Sequence, residues 1–318
     1  MVTVIKGKRN SPVLTSSTLA CLSVMPTINL TAGCLHDCVY CYIRGYSNYP
    51  GESRIVLYED TLERLRNELR RRHAKPRAVY FSPSSDMFQP ASEVVALSHA
   101  IIEYLFSEGI GVAFLTKGCI PDDTLRLLVN HAELVRAQVG LITLDEHISR
   151  AFEPNVARPR TRLEQLGALI AGGVRAEARL DPILPALTDG PDSLDRHFAA
   201  LAEVGVKRAA AGVLFLRPAI VQSLRRSVAD KAMLRAVLDG YRNGQQAVMR
   251  GAEFPIHNLS SEARREIFAR VRDAAAAYGI ELSVCACKNP DLARGSCNIA
   301  GTWPRWSPRA IQPMLIKV

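Results

Sequence analysis

The chain has 318 residues, of which 48% are hydrophobic and 22% charged, a balance ordinary for a globular protein and enough for one large domain with an appendage. No apolar run approaches the roughly 20 residues that cross a bilayer, and the first residues lack the basic, apolar and cleavage regions of a signal peptide in order, so a cytoplasmic protein without a membrane partner is expected. The formal net charge of +9, with arginines crowded in "RLRNELRRRHAKPR" (64–77) and "RSVADKAMLR" (226–235), suits a nucleic acid or another anion, though solvated helix faces would read the same way.

Along the chain, short apolar runs alternate with helical patterns. "VMPTINL" (24–30), "RAVYFS" (77–82), "IGVAFLT" (110–116), "LVRAQVGLIT" (134–143), "VRAEARLDPIL" (174–184) and "VKRAAAGVLFL" (206–216) read as strands. Between the first two, "DTLERLRNELRRR" (60–72) carries Leu62, Leu65 and Leu69 on one stripe, with Asp60 and Glu63 placed as a helix cap and its partner. "TRLEQLGALIAGG" (161–173) repeats the stripe and stops at paired glycines. "SEARREIFARVRDAAAAYG" (261–279) does so again with Ile267, Phe268 and Val271. Strand–helix alternation at this spacing means βαβ units and a parallel sheet, closed or open, whose ligands gather at the C-terminal ends of the strands. Six such units over residues 1–280 are followed by a cysteine-bearing extension, 281–318.

Six of the eight cysteines fall into two groups. Cys34, Cys38 and Cys41 stand C-x3-C-x2-C directly after the first strand, and Cys285, Cys287 and Cys297 stand C-x-C-x9-C in the extension. In a reducing compartment, clustered cysteines are more often metal ligands than disulfides. Three thiolates in one loop suit zinc or an iron–sulfur cluster. His36 would complete a four-ligand zinc set, but the spacing is not that of paired zinc knuckles. A [4Fe–4S] cube normally takes four cysteines, so three leave one iron open to an external ligand.

The C-x3-C-x2-C loop, with Tyr40 before its last cysteine, resembles the signature of the radical S-adenosylmethionine (SAM) superfamily. "CVYCYIR" (38–44), "SPSSDMFQP" (82–90), "FLTKG" (114–118) and "EPNVARPRTRL" (153–163) resemble more closely its spore photoproduct lyase-like branch. The resemblance covers most of residues 24–300. It implies an α/β fold, a partial (β/α)6 TIM-like barrel. It also implies a [4Fe–4S] cluster on Cys34, Cys38 and Cys41, and SAM bound to the open iron and cleaved to a 5′-deoxyadenosyl radical that abstracts hydrogen from substrate.

By the same resemblance Tyr40 and Tyr42 pack near cluster and SAM. Ser84, Ser85 and Asp86 replace the usual Gly-Gly-Glu that grips the SAM amino group, Lys117 meets the SAM carboxylate, and Glu153 with Arg162 ties down a loop. A nucleobase, nucleotide or nucleic acid is the substrate class implied, with a flavodoxin or ferredoxin as electron donor. The match departs at Ser82, Pro83 and Ser84, where the repair enzyme of this branch carries its hydrogen-donor cysteine, and this argues against spore photoproduct lyase activity itself. Cys119, just past Lys117, is a candidate substitute donor or a small packing residue. Cys285, Cys287 and Cys297 are candidates for a second iron–sulfur cluster, a zinc site or structural packing. A second cluster would point to a small metabolite or peptide as substrate, and a purely metal-binding protein is the non-enzymatic alternative.

Overall fold

The structure is a computed structural model describing residues 2–17, 22–23, 25–248, 255–293, 299 and 303. Its elements in chain order begin with strands β1 (Thr3–Gly7), β2 (Thr27–Ile28), β3 (Thr31–Ala32) and β4 (Arg54–Tyr58), then helix α1 (Thr61–Arg71). The alternating body follows: β5 (Ala78–Phe81), α2 (Ser92–Ser107), β6 (Gly111–Thr116), α3 (Asp122–Asn130), β7 (Val135–Gly140), α4 (Glu146–Phe152), α5 (Pro159–Ala171), β8 (Arg175–Ile183), α6 (Pro191–Glu203) and β9 (Arg208–Val213). The chain closes with α7 (Pro218–Ser227), α8 (Lys231–Asp239), the hairpin β10 (Gln245–Val248) and β11 (Pro255–Asn258), α9 (Ser261–Ala277) and β12 (Glu281–Val284).

Seven strands form one sheet in the order β12-β9-β8-β7-β6-β5-β2, and every pairing in it is parallel. This is a mixed α/β architecture of the partial TIM-like kind. All six expected strands are present. The seventh, β12, comes from the stretch read as an extension, so the sheet runs past residue 280 to Val284. Strand β12 is short and only alternately apolar, which is why periodicity alone did not mark it.

The pleat sorts side chains to two sides. Val79, Phe81, Val112, Phe114, Val135, Ala137 and Val139 face the helices and join the main core. Ala78, Tyr80 and Ala113 face the other way, into a smaller cluster with Leu22, Met25, Ile299 and Trp303. Ile299 and Trp303 are 2% and 7% exposed, and the Arg136 guanidinium lies 4.2 Å from the Trp303 ring. The described part of the tail is therefore built into the barrel's interior.

One helix start differs from expectation. Asp60 sits at the α1 N-cap without bonding the helix, because its carboxylate accepts from the Arg9 backbone N–H at 3.2 Å instead. Ser260 does cap α9, accepting from the Ala263 N–H at 3.1 Å.

Candidate functional site

The C-terminal ends of the strands surround a cavity of about 1120 Å³. Its walls include Cys34, Cys38 and Cys41, the segment Ser82–Asp86 after β5, Lys117 after β6, Arg179 and Asp181 of β8, and Cys285, Cys287 and Lys288 after β12. Both cysteine groups thus open onto one space. Cys297 lies outside the described residues. Among the described residues no group of three or more His, Cys, Asp or Glu side chains is gathered so as to hold a single metal ion.

The cysteine loop leaves β3 at Gly33, whose φ is +82° and where an added Cβ would lie 2.7 Å from the Arg54 carbonyl oxygen. Only glycine fits that close, left-handed turn. The loop is then tied down on every side. The Leu35 N–H donates to Gln89 Oε1 at 2.8 Å, Asn155 Nδ2 donates to the Leu35 carbonyl at 3.0 Å, and the Val39 N–H donates to the Phe152 carbonyl at 3.0 Å. The Arg44 guanidinium donates to the carbonyls of Cys38 at 3.1 Å and Asp37 at 2.9 Å, and pairs with Glu52. Burial pushes all three thiols up, Cys38 to about 12. Ligation of iron would replace those protons, as soft thiolate chemistry requires.

Under the loop lies a buried carboxylate, Glu153, whose side chain is 0% exposed. Arg162 Nη1 stands 2.9 Å from Oε2, Lys117 Nζ stands 2.9 Å from Oε1, and the Tyr40 hydroxyl donates to Oε1. Burial alone would raise the Glu153 carboxyl, but Arg162 and Lys117 outweigh it and hold it at about 2. Lys117 is raised in turn, the attraction of Glu153 overcoming its burial, so the group stays ionised. Lys117 reaches this position because β7 presents a bare Gly140 there; a Cβ would lie 2.7 Å from Lys117 Cγ. Lys117 also donates to the Tyr40 hydroxyl at 2.5 Å and to the Asp181 carbonyl at 3.3 Å.

Asp86 is equally engaged. Its carboxylate accepts from the N–H groups of Phe88 at 2.8 Å and Lys117 at 2.7 Å and from the Thr116 hydroxyl at 2.8 Å, and His36 Nε2 stands 3.1 Å away. Burial pushes this carboxyl up, while His36 and those hydrogen bonds bring it below its ordinary value. Asp86 therefore pins three segments together at the cavity wall. The hydroxyls beside it differ. Ser84 Oγ donates to Asn29 Oδ1 at 3.0 Å, whereas Ser82 Oγ and Ser85 Oγ are buried without a partner among the described residues. Ser82 holds φ +50°, a left-handed conformation that costs energy off glycine. Tyr42 lines the wall and its hydroxyl donates to the Pro83 carbonyl.

On the facing wall, Asp181 accepts from Lys288 Nζ at 2.6 Å and from Arg179 Nη2 at 2.8 Å. Those two cations overcome burial and hold its carboxyl at about 2. Arg179 Nη2 also reaches Cys285 Sγ at 3.6 Å. A hydrogen bond with Cys287, then burial, pushes the Cys285 thiol up to about 12.

Cys119 is exposed and is not among the residues that line the cavity. Arg44, Gln89 and Asn155 lie inside the quoted motifs but had no role assigned from sequence, and Asp181 lies outside them; only the folded chain shows what each one ties. Three thiols on one wall fit a soft metal–sulfur cluster, and the two unpartnered serine hydroxyls beside them fit the polar end of an amino-acid-like ligand.

Comparison with known proteins agrees with this geometry. The family model described as "Radical SAM superfamily" matches residues 28–185. An uncharacterized protein of Mycobacterium tuberculosis is 31% identical over 195 residues, which is 58% of this chain and 57% of that protein. The chain thus spans little more than half the length of this relative. A radical SAM Nalpha-GlyT isomerase of Pseudomonas phage M6 is 26% identical over 200 residues, 61% of this chain and 41% of that one. In fold, a spore photoproduct lyase mutant superposes with a TM-score of 0.68 at 16% identity, covering 89% of this chain and 82% of the other. The chain belongs to the radical SAM superfamily of enzymes.

Proposed function

We propose that this protein uses Cys34, Cys38 and Cys41 to hold a [4Fe–4S] cluster, and acts on a nucleobase, nucleotide or nucleic acid. When bound, cluster and SAM together supply reductive cleavage of SAM to a 5′-deoxyadenosyl radical, which abstracts hydrogen. The observation that carries the reading is the meeting of three thiols and two unsatisfied serine hydroxyls on one cavity wall. Ser85 and Ser82 would accept the SAM ammonium, with Ser84 fixed behind them by Asn29. Tyr40 and Lys117 serve the site by anchoring to Glu153, so their part is to hold the cluster loop. Lys117 still faces the cavity and would meet a carboxylate there. Tyr42 would shape the wall beside them.

Support for the substrate class comes from the cationic lining and from two related proteins. One spore photoproduct lyase structure holds AdoMet and a dinucleoside spore photoproduct, and the phage relative is named as a Nalpha-GlyT isomerase. No described helix is long and apolar enough to cross a membrane. The free state of the described cysteines suits a reducing cytoplasm, where a flavodoxin or ferredoxin would supply the electron.

A second reading is favoured by one observation: Cys285 and Cys287 open onto the same cavity. With Cys297 they would hold a second iron–sulfur cluster against the substrate. Anaerobic reconstitution with iron and sulfide tests both readings. Wild-type protein given SAM and dithionite should form 5′-deoxyadenosine, and Cys34→Ala, Cys38→Ala or Cys41→Ala should not; formation by any of the three variants rejects the cluster assignment. About eight irons per chain falling to about four in the Cys285, Cys287 and Cys297 to Ala variant would establish a second cube, and about four in both would reject it.

A further inference from the structure

Arg217, the residue before α7, lines both the site cavity and a neighbouring groove of about 860 Å³. The groove runs between α7, through Val221, Arg225 and Arg226, and the β10–β11 hairpin at Gln246 and His257. None of its lining residues is acidic.

Other cations around the site have carboxylate partners. Lys117 pairs with Glu153, Lys288 and Arg179 pair with Asp181, and Arg44 and Arg226 share Glu52. Arg217 does not. Its Nε is shielded from solvent and has no hydrogen-bond partner, and among the described residues no carboxylate pairs with its guanidinium. The neighbours it has are aromatic: the Phe215 ring, 5.7 Å from the guanidinium carbon, and Tyr46, whose hydroxyl is influenced by its charge. Phe215 is flanked on its other contact by Lys288, 5.4 Å from the same ring, so the ring fixes two cations at the cavity edge. A half-buried guanidinium without an anion is costly unless something completes it. Its planar fork matches the oxygens of a phosphate.

We propose that Arg217 is the receptor for a phosphate group of the substrate. Held at the junction, the phosphate would leave the reacting part of the molecule in the cavity, facing Cys34, Cys38 and Cys41. Any continuing part would follow the groove past Arg225. Arg225 there suits a group or chain carrying more than one negative charge. This rests on the nucleotide reading above and assigns its specificity to one side chain.

The test is equilibrium binding to the reconstituted protein. The probes are a set of nucleosides, the matching nucleoside 5′-monophosphates and inorganic pyrophosphate. The proteins are wild type, Arg217→Gln and Arg217→Lys. The expected result is that the monophosphates bind wild type about 10-fold or more tightly than the nucleosides, as a charge-assisted hydrogen bond to phosphate implies. Arg217→Gln should erase that gain, and Arg217→Lys, which keeps charge and fold, should retain part of it. Equal binding of nucleoside and monophosphate to wild type overturns the inference, as does a phosphate gain that survives Arg217→Gln. If neither nucleosides nor their monophosphates bind, pyrophosphate decides. Binding lost in Arg217→Gln keeps the phosphate receptor while rejecting the nucleotide reading, and no such binding rejects both.

Discussion

The two cysteine groups share a cavity but are built differently. Cys34, Cys38 and Cys41 sit in a loop whose backbone is bonded to Gln89, Asn155, Phe152 and Arg44, above a fully buried Glu153 paired with two cations. Cys285 and Cys287 follow a short edge strand, where the Cys285 N–H donates to the Ala211 carbonyl at 3.0 Å, its carbonyl accepts from the Asn289 N–H at 3.0 Å, and Arg179 lies 3.6 Å from its Sγ beside the Lys288–Asp181 pair. The first group lies inside the span matched by the family model, the second beyond it. The difference teaches where rigidity was placed. One wall rests on a buried charge cluster, and the other presents thiols to the same space from the C-terminal end of an edge strand.

That contrast can be broken experimentally. The largest effect should come from the cluster loop: replacing any of Cys34, Cys38 or Cys41 with Ala should reduce SAM cleavage to background by product analysis. Replacing Cys285 and Cys287 should leave 5′-deoxyadenosine formation measurable. Equal loss in both would make the two walls one functional unit.

Next comes Glu153→Gln. It leaves Lys117 and Arg162 buried beside a neutral group, and should cost about 3–5 kcal/mol in denaturant unfolding. Asp181→Asn strands cations that are 12% and 20% exposed and should cost less, about 1–3 kcal/mol. A reversed order would mean that the second wall is the more tightly built.

Acid should act on the clamped side as well. His197 of α6 is buried, and burial first, then the charge of Arg162, depresses it from the ordinary 6.5 to about 4. The unfolded chain therefore takes up its proton first. The stability contributed by neutral His197 is complete above about pH 6.5 and is lost as pH falls toward about 4, by about 3 kcal/mol in all. His197→Leu should flatten that part of a stability–pH curve, and an unchanged slope would assign it elsewhere. The smallest effect belongs to Cys119→Ala, which removes an exposed thiol away from the cavity. Unfolding should shift by no more than about 0.5 kcal/mol, with SAM cleavage unchanged.

Much of this protein was legible in its residues. Six apolar runs separated by helical stripes are enough to specify a parallel sheet, because strand and helix periods are local properties of the chain. C-x3-C-x2-C is legible for the same reason: three cysteines within eight consecutive residues are close in space whatever surrounds them. The partners of the motif residues were not legible. Asp86 and Lys117 were expected to face an amino acid. Both line the cavity, but Asp86 also meets Thr116, Phe88, Lys117 and His36, and Lys117 pairs with Glu153. Burial without water obliges each charge to find a protein partner, and apart from Phe88 those partners come from other segments, Thr116 lying 30 residues from Asp86.

By itself, then, the sequence determined the strand and helix order and the cysteine loop at the end of the first strand. Tertiary structure alone decided that β12 joins the sheet, that Ile299 and Trp303 pack beneath it, that Cys285 and Cys287 line the same cavity as the first three cysteines, and that among the described residues Arg217 is left without a carboxylate partner. These are contacts between distant segments, fixed by which surfaces the sheet buries, and no local pattern of residues encodes them.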